Sequence, residues 1–192
     1  MTHTTTTADH RRILVIDDNR SIHDDFRKIL APAKAADDAL KAAEAALFGK
    51  ALQTPNSAQT FTIDTASQGE EGLQMVKRAL TEGQPYAMAF VDVRMPPGWD
   101  GIETTRQIWQ VCPDMQIVIC TAYADCCWSE VQEQIKPRDR MLILKKPFDI
   151  IEVMQLAISL TEKSRLLLES KSHLQDLEQR VKLRHHWWTW QY

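Results

Sequence analysis

The chain has 192 residues, of which 44% are hydrophobic and 26% charged, so it can bury one core and carry an appendage. Its net charge of -3 offers no general attraction to nucleic acid or anionic lipid, and no apolar run reaches membrane-spanning length. We therefore expect a cytoplasmic protein that binds neither nucleic acid nor membrane. The cysteines cluster between positions 112 and 127 without a repeated CxxC, which favours reduced thiols over a disulfide framework or a metal site.

Apolar runs typical of strands alternate with helical patterns along most of the chain. A polar leader, residues 1–11, is predicted to be disordered. The predicted strands are Arg12–Ile16, Phe61–Thr65, Tyr86–Val91, Gln116–Cys120 and Met141–Leu144. The predicted helices are Ile22–Leu30 capped by Ser21, Gly69–Leu80, Ile102–Trp109, Asp125–Ile135 and a long helix capped by Asp149. This alternation predicts an α/β fold, a doubly wound parallel sheet of five strands covered on both faces.

Residues 31–58 interrupt the alternation. This stretch is rich in alanine, opens near Pro32, carries apolar residues near helical spacing and ends at the breaker segment Thr54–Ser57. It predicts a helical insertion with a loop. Packing against the domain is favoured over a partner surface.

Polar side chains follow four of the five predicted strands. Asp17 and Asp18 come directly after the first strand, Asp92 after the third, Thr121 after the fourth and Lys146 after the fifth. The carboxyl ends of parallel strands share one edge of the sheet, where ligands bind in open α/β folds. Each residue alone is explained equally well as a turn former or cap, but their coincidence at four strand ends indicates a functional site.

The chemistry of such a cluster can be stated from its groups. Carboxylates close together repel one another unless a cation intervenes, and an acid-rich site of oxygen ligands favours Mg²⁺. A carboxylate held opposite a lysine and a hydroxyl can act as a nucleophile toward phosphorus, with the metal and ammonium neutralising the transferring group. The product would be an aspartyl phosphate.

Five ordered motifs resemble the signature of response-regulator receiver domains of two-component signalling. They are Ile13–Asp18, Val91-Asp92-x-x-Met95-Pro96, Asp100-Gly101, Thr121-Ala122 and Lys146-Pro147-Phe148. The resemblance covers roughly residues 11–160 apart from the insertion, and the order of five motifs makes it specific. It implies the flavodoxin-like strand order 2-1-3-4-5 and a receiver domain over residues 12–160.

The resemblance implies a role for each matching residue. Asp92 would be the phosphoacceptor. Asp17 and Asp18 would hold Mg²⁺ together with Asp92 and the backbone of Arg94.

Three further matching residues would bind the phosphoryl group. Thr121 would bond one of its oxygens, Ala122 would leave room for it, and Lys146 would pair with it. The donor would be a phosphohistidine on a sensor histidine kinase or a phosphotransfer protein. Apart from slow autodephosphorylation, the resemblance implies no enzymatic activity.

The sequence departs from the family pattern in three places. The spacing from Asp18 to Asp92 is long because of the insertion, and the turn after Met95-Pro96 carries one extra residue. Ile143 occupies the position where many receivers place a tyrosine or phenylalanine that swings inward. We therefore expect the output to pass through another route, either the loop after Thr121 or the last helix.

The last helix is longer than the domain requires. Val153, Leu160, Leu167, Leu174 and Val181 recur every seven residues. The pattern predicts a coiled-coil extension over residues 161–184 and a parallel homodimer through it, in preference to one amphipathic helix folded back on the sheet. Residues 185–192 form an aromatic tail with no catalytic motif.

Three alternatives to an independent phosphoacceptor remain. The chain could be the regulatory receiver of a larger output protein, such as a diguanylate cyclase, a phosphodiesterase or a hybrid kinase. It could be a dimerisation scaffold that acts without phosphorylation. It could also be a phosphatase of the haloacid dehalogenase type, although that family needs an acid two places after its nucleophile and Asn19 lies there after Asp17.

Overall fold

The computed structural model describes residues 11–31, 61–122 and 138–188, with side chains described as far as residue 182. Four predicted segments lie wholly or partly outside these residues: the leader 1–11, the helical insertion 31–58, the helix Asp125–Ile135 and the aromatic tail 185–192, of which only the backbone of residues 185–188 is described.

Five strands and four helices make up the described fold. The strands are β1 (Arg12–Ile16), β2 (Thr62–Ala66), β3 (Met88–Asp92), β4 (Gln116–Ala122) and β5 (Met141–Lys146). The helices are α1 (Arg20–Leu30), α2 (Gly69–Thr81), α3 (Gly101–Val111) and α4 (Ile150–Trp188), and a short 3-10 turn, Arg138–Arg140, precedes β5. No helix within these described ranges combines the length and apolarity needed to cross a membrane.

All strand pairs are parallel, and the strand order is β2-β1-β3-β4-β5. The predicted flavodoxin-like order is therefore confirmed. In this order β1 and β3 are central neighbours, with Ile16 opposite Val91. Asp17 and Asp92, which follow these two positions, therefore lie side by side at the carboxyl edge of the sheet.

Alternation along the strands divides the core into two layers. Leu14 and Ile16 face the layer under α2 and α3, whereas Ile13 and Val15 face the layer under α1 and α4. All four are essentially inaccessible to solvent. Strands buried on both faces read as continuous apolar runs, which is why β1 and β3 were recognisable in the sequence.

The helix caps explain where three helices begin. Asn19, not the predicted Ser21, caps α1: its Oδ1 accepts from the Ser21 N–H at 3.0 Å, and the helix begins at Arg20. Asn19 has extended backbone, so its short side chain folds over the first turn. Asp100 caps α3 and Asp149 caps α4 through the N–H groups of residues 103 and 151, both at 2.7 Å.

Helix α4 contains 39 residues, which corresponds to a length of about 58 Å. Its first half belongs to the domain core: Val153, Ala157 and Leu160 are buried against the sheet beside Phe26 of α1. The prediction that Val153 and Leu160 belong to one seven-residue seam with Leu174 is therefore wrong, because the sheet already covers them. From position 169 to 182 every side chain is exposed.

Candidate functional site

Three carboxylates converge at the carboxyl edge of the sheet. Asp17 and Asp18 follow β1 and Asp92 ends β3, and one carboxylate oxygen from each lies within 4.8 Å of the others. Asp17 is 2% exposed and Asp92 is 9% exposed, whereas Asp18 faces solvent. The site therefore consists of two buried acids, Asp17 and Asp92, and one exposed acid, Asp18.

The Lys146 ammonium joins the two buried acids. Its Nζ donates to Asp17 Oδ2 at 2.7 Å and to Asp92 Oδ1 at 2.6 Å. Lys146 is the last residue of β5, two strands away from β3, and only 23% of its side chain is exposed. The strand order therefore brings Lys146 close to Asp17 and Asp92 despite their long separation in sequence, because β4 and β5 extend the carboxyl edge to which β1 and β3 belong. We call this edge the rim.

Backbone amides hold the opposite oxygen of each buried acid. The Asn19 N–H donates to Asp17 Oδ1 at 2.9 Å, and the Arg94 N–H donates to Asp92 Oδ2 at 3.0 Å. Each carboxylate is therefore fixed between one amide and the Lys146 ammonium. Charge-assisted bonds of this kind set the rotamers of both acids in advance of any ligand.

Burial and ion pairing shift the pKa values of Asp92 and Lys146. Burial raises the pKa of Asp92 above its usual range, the Lys146 ammonium opposes that rise, and the neighbouring Asp17 carboxylate adds to it. Burial alone would lower the pKa of Lys146, but its hydrogen bonds to the two carboxylates outweigh burial and raise it. Lys146 is therefore charged at neutral pH, and the three acids exceed it in charge.

His23 was missed by the sequence argument. Its ring lies on the buried face of α1, and Nε2 is 2.7 Å from the backbone carbonyl oxygen of Asp17. Because a carbonyl only accepts, this nitrogen carries the proton. The signal in the sequence was a polar residue in register with Phe26 and Leu30, the apolar positions of the same helix face.

Thr121 and Ala122 lie on the same rim, at the end of β4. They are paired with Lys145 and Lys146 of β5, so both belong to the edge that carries the acids. The Thr121 hydroxyl donates to the Ala122 carbonyl at 3.0 Å. Ile143 is partly buried and packs on the layer under α2 and α3.

Gly101 begins α3 directly against the phosphoacceptor candidate. Its N–H donates to the Val93 carbonyl at 2.9 Å, and a Cβ placed on it would lie 2.2 Å from the backbone oxygen of Asp92. That oxygen is main chain and cannot swing aside, so only glycine allows α3 to approach this closely.

We expect Gly101→Ala to destabilise the fold by about 1–3 kcal/mol because it forces α3 away from the end of β3. Chemical denaturation measures the change. Gly98→Ala is the matched control: its Cβ meets the mobile ends of the Gln68 and Glu70 side chains, so its cost should stay within about 0.5 kcal/mol. Equal effects of the two substitutions would contradict the close approach.

The sheet order and the acid-lysine rim together define a receiver-like α/β domain. Residues 47–158, more than half of the chain, match the model of the response regulator receiver domain, and the chain belongs to that family. The matched segment begins after β1, so the placement of Asp17 and Asp18 comes from the structure.

Individual relatives are distant. The chain is 27% identical over 123 residues to the C4-dicarboxylate transport transcriptional regulatory protein DctD of Rhizobium meliloti (strain 1021), covering 64% of this chain and 25% of the relative. It thus spans about a quarter of that relative's length.

Two solved structures share the fold. A response regulator receiver protein from Sinorhizobium medicae WSM419 has a TM-score of 0.55 and 20% identity, covering 81% of this chain and 98% of that chain. An adenylate cyclase from Rhodopirellula baltica has a TM-score of 0.61 and 18% identity, covering 86% of this chain and 97% of that chain. At these identities the likeness shows the architecture only.

Proposed function

We propose that this receiver accepts a phosphoryl group on Asp92 from the phosphohistidine of a sensor histidine kinase or a phosphotransfer protein. The observation that carries the proposal is the Lys146 ammonium, which bridges Asp17 and Asp92 on one rim of the sheet. A carboxylate bonded to a single ammonium, with its second oxygen on a backbone amide, is oriented for attack without being neutralised.

The reaction balances with groups that the chain supplies. A carboxylate oxygen of Asp92 forms a bond to phosphorus, the P–N bond to the donor imidazole breaks, and the electron pair stays on that imidazole. Lys146 then donates to a phosphoryl oxygen in place of Asp92, and it keeps its hydrogen bond to Asp17. Thr121, after rotation, donates its hydroxyl to a second phosphoryl oxygen.

The three acids fit a hard divalent cation such as Mg²⁺. Asp17, Asp18 and Asp92 provide oxygen ligands only, Asp18 is open to water, and one ammonium does not balance three carboxylates. We propose that these acids hold Mg²⁺ with the backbone of Arg94. When bound, the metal neutralises charge on the transferring phosphoryl group.

The proposal is tested with a small phosphodonor, acetyl phosphate, on the whole chain. In the presence of Mg²⁺ we expect a mass increase of one phosphoryl group, and peptide mapping should place it on Asp92. The same incubation with EDTA should give none. An adduct on another residue, or no adduct on folded protein, would overturn the assignment.

Metal binding gives a second prediction. We expect Mg²⁺ at about 100 times its Kd to raise the free energy of unfolding by about 2.7 kcal/mol. Asp18→Asn should keep the metal-free stability, because Asp18 is exposed, but should lower this gain by more than about 1 kcal/mol through weaker binding. Thermal melts with and without Mg²⁺ measure the difference.

Asp25→Asn provides the control for that experiment. Asp25 is also exposed and lies on α1, where its carboxylate is 3.6 Å from the Lys28 ammonium. Its response to Mg²⁺ should equal that of the wild type. A loss of response in Asp25→Asn as well would mean that the metal acts through general surface charge.

We propose that the signal leaves the domain through α4, as a homodimer or toward a bound partner. Ile143 cannot perform the swing of an aromatic ring, whereas α4 is packed on the sheet and continues well past it. Loss of the phosphoryl group is the only turnover we expect of this chain. Control of an attached output domain is the alternative, since the matching part of the DctD relative is a quarter of a transcriptional regulatory protein.

A further inference from the structure

His23 is a buried polar side chain that the proposed phosphoryl transfer does not use. It is 5% exposed and lies on the face of α1 that also buries Phe26 and Leu30. A ring with two polar nitrogens is costly at such a position unless it makes a hydrogen bond. The Nε2–H of His23 donates to the backbone carbonyl oxygen of Asp17 at 2.7 Å. An apolar side chain would fill the same position at lower cost, so the hydrogen bond itself points to the function of this residue.

The Asp17 carbonyl lies where β1 leaves the sheet. The strand ends at Ile16, and its register with β2 and β3 ends at the same residue. The Asp17 N–H still donates to the Ala66 carbonyl at 3.1 Å, but among the described residues no backbone N–H donates to the Asp17 carbonyl. His23 therefore supplies the donor that a neighbouring strand supplies elsewhere along β1.

This hydrogen bond fixes the peptide unit that joins two of the acids. A peptide bond is planar, so a fixed Asp17 carbonyl also fixes the N–H of Asp18 and the direction in which the chain leaves the plane on each side. Before this unit, the Asp17 N–H is bonded to β2. After it, the Asn19 N–H is bonded to Asp17 Oδ1 at 2.9 Å. The His23 ring is the anchor between these two contacts.

Asp18 depends on this anchor more than the other two acids do. Lys146 bonds Asp17 and Asp92, so its charge holds those two carboxylates in place. Asp18 is exposed and takes part in neither bond, yet one of its carboxylate oxygens lies within 4.8 Å of an oxygen from each of the other acids. Carboxylates this close repel one another. The backbone must therefore keep Asp18 beside the others when no cation is bound.

We propose that His23 is a positioning residue of the cation site: its Nε2–H holds the peptide between Asp17 and Asp18 so that the three carboxylates stay within reach of one divalent cation. The proposal rests on the proposed function in assigning these acids to Mg²⁺. The hydrogen bond of His23 reaches the backbone of one acid and not a carboxylate. Its loss should therefore weaken cation binding without slowing phosphoryl transfer once the site is filled.

Three substitutions separate the hydrogen bond from packing. His23→Leu removes the donor and keeps most of the buried volume. His23→Gln keeps an N–H donor, because the glutamine Nε2 lies the same number of bonds from Cβ as the histidine Nε2. Leu30→Val is the matched control: it shortens a fully buried side chain on the same face of α1, about 10 Å further along the helix, and so perturbs the core without touching the anchor.

Calorimetric titration of the whole chain with Mg²⁺ gives the first readout. His23→Leu should raise the Kd for Mg²⁺ by about 10-fold. His23→Gln and Leu30→Val should each stay within about twofold of wild type. Labelling with acetyl phosphate should be slower in His23→Leu at low Mg²⁺ and should recover the wild-type rate at saturating Mg²⁺. An unchanged Kd in His23→Leu, an equal loss in His23→Gln, or a rate deficit that persists at saturating Mg²⁺ overturns the proposal.

Hydrogen exchange of the Asn19 amide, followed by NMR in EDTA, gives a readout that needs no metal. Loss of the anchor loosens the turn, so exchange should be about 10-fold faster in His23→Leu. It should be unchanged in His23→Gln and Leu30→Val. An equal acceleration in Leu30→Val would mean that general loss of stability causes the effect, and would overturn the anchor.

The two readouts separate this proposal from the proposed function. If the wild type forms the Asp92 adduct while His23→Leu changes neither the Mg²⁺ affinity nor the Asn19 exchange, the positioning role of His23 fails alone. If the wild type binds no Mg²⁺ and forms no adduct while His23→Leu still accelerates the exchange, the proposed function fails and His23 remains the anchor of the turn.

Discussion

Asp92→Asn should abolish the phosphoryl adduct completely and, without metal, raise the free energy of unfolding. An amide has no nucleophilic carboxylate oxygen, so the first effect is absolute. The second follows from the pKa of Asp92, which burial raises in the folded state. A carboxyl group that resists ionisation in the fold contributes stability at low pH and loses it as pH rises through the raised pKa. The ionised form of Asp92 therefore lowers the stability of the metal-free fold, and this cost grows as pH rises through the raised pKa.

The two effects are measured separately. Intact mass after acetyl phosphate treatment reports the adduct, and urea denaturation in EDTA at pH 5 and pH 7 reports stability. The gain from Asp92→Asn should be larger at pH 7 than at pH 5. Lys146 keeps its bond to Asp17 in this variant, so the site is not left without an ion pair. Asp25→Asn should show neither effect. An Asp92→Asn variant that is less stable than wild type at both pH values would contradict the expected increase in stability.

The rim could be foreseen from the sequence because each of its acids follows an apolar run. Asp17 follows Ile16, and Asp92 follows Val91, so the end of each buried strand was visible. The strand order then follows from the family resemblance and is confirmed. What the sequence did not show is which oxygen binds which donor, since the amides of Asn19 and Arg94 reach the acids only in the folded turns.

Strands β4 and β5 were predicted too short, and the cause is tertiary pairing. β4 continues through Thr121 to Ala122, and β5 to Lys146, because these residues pair with each other across the ladder. The local sequence pattern contains no information about the partner strand. A polar residue that follows an apolar run is therefore interpreted as the end of the strand. The site residues of β4 and β5 are thus held by sheet hydrogen bonds and not by a loop.

The seven-residue repeat of the last helix did not reveal which of its positions are buried within the domain, for a related reason. Periodicity shows that Val153 and Leu160 face one side, but not what covers that side. The structure buries both against the sheet, while Leu174 and Val181 remain exposed. The sheet therefore covers Val153 and Leu160, whereas the predicted coiled coil over residues 161–184 stays a prediction.

Lys146→Met should have the largest effect on the metal-free fold. It leaves Asp17 and Asp92, whose side chains are 3% and 12% exposed, facing each other without a cation. Breaking a buried pair by removing one partner costs about 3–5 kcal/mol. The phosphorylation rate should fall by at least about 100-fold, since the ammonium no longer balances charge on the transferring group. Urea denaturation and adduct formation measure the two losses.

Lys77→Met is the matched control, because Lys77 is exposed on α2 and should cost less than about 0.5 kcal/mol. Mg²⁺ should recover part of the stability lost in Lys146→Met, since a divalent cation replaces the missing positive charge beside the same acids. A second substitution separates charge from packing: in the Lys146→Met background, Asp92→Asn should stabilise more than it does in wild type, because it removes the repulsion that the lysine had masked. Equal gains in the two backgrounds would mean that Lys146 packs against the acids without balancing them electrostatically.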